Sequence, residues 1–181
     1  MLIRLVPVLL LFAFPVLGDD IASGPKKDEK VPTLTIHDVT GPNKGKEIDI
    51  VKDRGDKPTV YLMVWSDKFG RPMFQYMKTL QEKVKTDLKD RDVALVAVWL
   101  TEDAEKTADF LPKISQYFGD TTLTYCKTDR NGPNNWGINT DAHLTAIVVN
   151  KGKTVATFAY ASLNATDVPK VTEAIDKATK K

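Results

Sequence analysis

Cysteine is almost absent, with Cys126 the single example in 181 residues. One thiol cannot form an intramolecular disulfide, a dithiol redox centre or a Cys-rich zinc site. Histidine is nearly as scarce. His37 and His143 are the two present, and neither stands at ligand spacing from the other or from Cys126, so no metal site is expected. The loop acids Asp129 and Asp141 bring no partner set that would define a calcium loop. An excess of charge is missing too: 26 basic and 24 acidic residues leave a net +2, which offers no electrostatic case for a nucleic-acid partner. No apolar run is long enough to span a bilayer comfortably. Internal repeats and motifs for an organic cofactor are also lacking, and no cofactor is expected.

What is present begins with a leader. Residues 1–18 carry Arg4 and then an apolar run from Leu5 to Leu17. Val16 and Gly18 are small residues at the −3 and −1 positions of a peptidase site, and Asp19-Asp20 follow, so a cleaved signal peptide and an exported protein are expected, without stable membrane insertion. Residues 19–32, with Gly24-Pro25-Lys26-Lys27-Asp28-Glu29-Lys30, are poor in apolar side chains and predict a flexible linker. Residues 33–181 read as one domain.

Within that domain, Leu34 and Ile36 alternate with threonine before the turn residues Gly41 to Gly45, and Ile48 and Ile50 alternate after it, which predicts a β-hairpin. The unbroken runs Thr59 to Trp65 and Val93 to Trp99 suit strands buried on both faces. Between them Met73, Met77, Leu80, Val84 and Leu88 recur at helical spacing. A second helix follows Thr101-Glu102-Asp103, with Ala104, Ala108, Leu111 and Phe118 on one stripe and Pro112 predicting a kink or a late start. A short strand near Leu123 to Cys126, a hairpin over residues 145–158 and a helix from about Asp167 complete the chain. The alternation in the middle predicts parallel strands covered by helices, with the terminal hairpin antiparallel.

The hairpin from Leu34 through Ile48, Lys57-Pro58 before a buried strand ending in Val64-Trp65, and the later strings Thr128-Asp129-Arg130-Asn131-Gly132, Trp136-Gly137-Ile138 and Ala146 to Lys153 resemble the redoxin branch of the thioredoxin-like superfamily. The resemblance implies an α/β three-layer sandwich with a mixed central sheet and an N-terminal β-hairpin extension. It also implies a reactive Cys-x-x-Cys soon after the Trp, at a helix start where the dipole lowers the first thiol's pKa. Here that segment reads Trp65-Ser66-Asp67-Lys68-Phe69-Gly70-Arg71-Pro72, with Phe69 and Pro72 at the cysteine positions. The family's cis-proline falls on Leu144, where a trans peptide is expected.

Two functional readings follow. In the first, the chain has lost dithiol catalysis and binds an extended peptide or an envelope or secreted protein. Its groove would be lined by Trp65, Phe69, Gly70, Arg71, Pro72, His143 and Leu144, with His143 beside the Trp65 to Pro72 turn. In the second, Cys126 serves a single-thiol oxidoreductase or peroxidase-like activity. An exposed Cys126 would also permit a disulfide-linked dimer. Asn164-Ala165-Thr166 is a glycosylation sequon with meaning only in a eukaryotic secretory pathway.

Overall fold

The structure, a computed structural model, describes residues 21–130, 132–133 and 135–180. The expected signal peptide lies outside the described residues.

Seven strands form one mixed sheet in the order β2-β1-β5-β4-β3-β6-β7. The strands are β1 (Thr35–Asp38), β2 (Glu47–Asp49), β3 (Thr59–Trp65), β4 (Ala94–Thr101), β5 (Thr121–Lys127), β6 (Leu144–Asn150) and β7 (Lys153–Tyr160). Four α-helices accompany them: α1 (Ile50–Arg54), α2 (Arg71–Asp87), α3 (Ala104–Ile114) and α4 (Val168–Thr179). β3 sits near the middle, parallel to β4 and antiparallel to β6. Its seven residues are all buried, which is why Thr59 to Trp65 shows no polar alternation.

Alternate β3 side chains feed two cores. Val60, Leu62 and Val64 pack with Met73 and Leu80 of α2, Leu111 of α3, and Val171 and Ile175 of α4. Tyr61, Met63 and Trp65 pack on the other face with Val31, Leu34, Ile36, Ile50, Trp136 and Ile138. β3, β4 and β5 are mutually parallel and follow one another across the sheet, so two crossovers of the same hand put α2 and α3 on one face. The opposite layer contains α1, the N-terminal segment and the β5–β6 connection. The three-layer α/β sandwich is therefore present, with its long helices gathered on one side.

Four local expectations change. Residues 21–32 are a strap rather than a tether: Asp28 N donates to Thr154 O at 2.8 Å, Thr154 N to Glu29 O at 2.9 Å and Val31 N to Gly152 O at 3.1 Å, beside β7. Few apolar side chains are needed there, because the backbone bonds and the burial of Pro25 and Val31 hold it. Ile50 starts a short helix instead of continuing the hairpin, since the Asp49 carboxylate caps the Val51 and Lys52 amides. In α3, Pro112 brings no late start. The helix begins at Ala104 under the Asp103 cap, and Pro112 lies in its last turn, so the bond its missing N–H forfeits is close to a natural end. The buried positions of α3 are Thr107 and Leu111, whereas Phe118 is buried beyond the helix in the following 3-10 turn's cap. No peptide bond among the described residues is cis, Leu144 included.

Candidate functional site

β3 ends in Trp65 and passes through a 3-10 turn, Ser66–Lys68, to Phe69 and Gly70. Gly70 is the N-cap of α2 and offers no side-chain cap, while Pro72 occupies the first turn where its missing N–H costs nothing. β4 ends one strand away in Thr101. This buried hydroxyl accepts from Asp103 N at 3.1 Å and lies 2.9 Å from Thr107 Oγ1, fastening the start of α3 to the strand. Asp103 accepts from Lys106 N at 3.0 Å.

A cavity of about 410 Å³ opens between the β3–α2 turn and the start of α3, at the carboxyl ends of the parallel strands. Its aromatic lining is Trp65, Phe69, Trp99 and Phe110, with Leu100 beside them. The Phe69 ring lies 5.2 Å from Trp99 and 5.8 Å from Phe110, both in tilted or edge contacts. At the mouth Arg130 Nη2 pairs with Asp67 Oδ2 at 2.7 Å, linking the β5–β6 connection to the 3-10 turn. Glu102 and Lys106 add one charge of each sign. Asp103 lines the cavity as well, so the rim carries three acidic and two basic side chains around an aromatic interior.

Of the residues expected to form a groove, Trp65 and Phe69 line this cavity. Gly70, Arg71 and Pro72 are exposed at the helix start and do not. Leu144 is fully buried, because β6 runs antiparallel to β3 and pairs Leu144 with Val64, turning its side chain into the core under α2 and α4. His143 is half-buried, its amide donates to Tyr160 O at 2.7 Å, and it is not among the lining residues. The other flank of Trp65 is taken by the β5–β6 connection: Trp65 Nε1 donates to Asn139 O at 3.3 Å, and Lys68 Nζ bonds Thr140 O. The opening therefore lies on the α3 side. Trp99 and Phe110 escaped the sequence reading. Trp99 ends the second buried run as Trp65 ends the first, a usable signal, whereas Phe110 falls off the buried stripe of α3 and carries none.

Cys126 lies outside the turn, two strands from Trp65 and in register with it through Leu100. It lies on the β5 face opposite Leu123 and Tyr125, half-buried against the core that includes Ile48 and Val51. Burial, and secondarily the charge of Glu47, push its thiol pKa up. His37 stacks on Tyr125 with ring centroids 4.7 Å apart and pairs with Glu47 at 2.9 Å, a tie across three strands at the sheet edge. Among the described residues no three His, Cys, Asp or Glu side chains gather as a metal set.

No protein-family model matches the sequence, and no curated protein matches it. Solved structures do. The protein described as thiol:disulfide interchange protein DsbE of Chlorobium tepidum superposes with a TM-score of 0.63 at 17% identity, over 86% of this chain and 99% of that one. Yeast Sco1 gives 0.61 at 11% identity, over 84% and 97%. The thioredoxin domain of a thiol-disulfide oxidoreductase of Bacteroides vulgatus gives 0.57 at 14%, over 86% and 99%. What these chains share with this one is the architecture.

Proposed function

We propose that this chain, whose fold is thioredoxin-like, is an exported binding module without dithiol chemistry, and that the cavity beside Trp65 and Phe69 receives one uncharged apolar side chain of an extended peptide or protein partner. The observation that carries the reading is the aromatic lining at the strand ends, next to a turn that holds Phe69 and Pro72 and no thiol. The Asp67–Arg130 pair closes on itself at the rim, and the aromatic interior beneath it supports an apolar side chain as the occupant. Export rests on the apolar run from Leu5 to Leu17. The single-thiol alternative has less behind it: burial and Glu47 both keep Cys126 protonated, the reverse of an activated nucleophile.

The test is an NMR titration with N-acetyl-tryptophanamide as the minimal anchor. At ~0.3 kcal/mol for each of roughly 18 non-hydrogen atoms, binding of about 5 kcal/mol, or a sub-millimolar dissociation constant, is expected. Saturable shifts should centre on the amides of residues 101–107 and vanish in Phe110→Asp, whose remaining spectrum is retained. Shifts that do not saturate there would overturn the reading. So would reduction of insulin by the purified chain in dithiothreitol beyond the uncatalysed rate.

A further inference from the structure

We infer that strap residues Ala22 to Gly24 belong to the site as positioning residues, holding the Trp65 wall of the cavity in place through Asn139. The ligand arm of this inference rests on the binding reading above; its geometric arm does not.

Asn139 is the junction. Its carbonyl accepts from Trp65 Nε1 at 3.3 Å. Its amide donates to Ser23 Oγ at 2.9 Å, and its side-chain Nδ2 donates to Ala22 O at 3.2 Å. Ser23 Oγ also lies 2.7 Å from Thr145 Oγ1, so one hydroxyl joins the strap to both the sheet and the loop. Gly24 N donates to Gly137 O at 2.9 Å, and Thr157 Oγ1 donates to Pro25 O at 2.7 Å. From the other side, Lys68 Nζ bonds Thr140 O, tying the same loop to the β3–α2 turn.

The strap threads a slot that only glycine fits. Gly24 has φ +83°, and a Cβ there would stand 2.9 Å from Thr157 Cγ2 and 3.3 Å from Thr145 Cγ2. Adding that carbon displaces the strap and removes the donors and acceptors that orient Asn139. Trp65, only 3% exposed, then loses the acceptor of its indole N–H and with it the bond that sets its ring against the cavity.

The experiment compares wild type, Gly24→Ala, Ser23→Ala and Ser23→Thr by indole and amide hydrogen exchange, with N-acetyl-tryptophanamide titration in parallel. The Trp65 indole N–H is expected to exchange about tenfold faster in Gly24→Ala and Ser23→Ala and to recover in Ser23→Thr, which keeps the hydroxyl. The β3 and β4 amides of Leu62 and Ala97 should keep wild-type exchange, and the probe should bind roughly threefold or more weakly in the two loosened variants. Unchanged Trp65 exchange in both would overturn the inference. So would acceleration of Leu62 and Ala97 by the same factor as Trp65, which marks global loosening. If wild type does not bind the probe, the binding reading falls, and the exchange comparison still decides the strap.

Discussion

Phe69, Pro72 and Cys126 carry the chemical argument at the scale of single residues. The first two stand in the turn before α2, and the third is a half-buried thiol on another strand whose pKa is raised first by burial and then by Glu47. Native Cys126 is therefore expected to alkylate with iodoacetamide more slowly than a free thiol near neutral pH, the rate rising as pH passes the ordinary thiol range. Mass spectrometry of timed samples checks this; alkylation as fast as a free thiol's would restore the single-thiol reading. The same burial works against the disulfide-linked dimer, and a monomer on a non-reducing gel is expected. The positions of Trp65 at the strand end and Phe69 in the following turn were legible because the apolar run and the turn residues mark them. Leu144 and His143 were misplaced, because only the pairing of β6 with β3 decides which face each presents.

Elements were legible where a periodicity persists. β3 is bounded as the apolar run predicts, and α2 buries Met73, Met77, Leu80 and Val84 as its spacing predicts, with Tyr76 and Gln81 added. Gln81 shows why a stripe is not only apolar: its buried Oε1 accepts from Asp120 N at 3.2 Å and Thr121 Oγ1 at 3.0 Å, joining α2 to the start of β5. Gln81→Ala strands both donors and is expected to cost about 1–3 kcal/mol, read as a lower urea midpoint at unchanged slope. The strap was illegible for the opposite reason. Its bonds are made by backbone groups and by partners more than a hundred residues away, such as Thr145 and Asn139, so composition carries no trace of them.

At the scale of the whole molecule, the two cores flanking the sheet enclose ionisable groups that report its integrity. Of the five tyrosines, Tyr61 and Tyr76 are held well above the ordinary phenol range chiefly by burial, and Tyr160 is pushed up to about 12 by burial, reinforced by Asp167. A phenol raised in the fold leaves stability intact below the unfolded value near pH 10 and lowers it above, because the unfolded chain ionises first. Absorbance at 295 nm should therefore show these three ionising together with loss of the far-ultraviolet circular dichroism; their titration in an intact fold would contradict it. The sequence by itself determined the alternation of strands and helices, the two fully buried strands and the lack of a thiol at the turn before α2, since each is written in local spacing or residue identity. Only the tertiary structure decided that the strap docks, that all three long helices share one face, and that Trp65 and Phe69 meet Trp99 and Phe110 around a cavity while Leu144 turns away. Those outcomes depend on strand order, register and backbone hydrogen bonds between distant segments, and no local pattern of side chains encodes them.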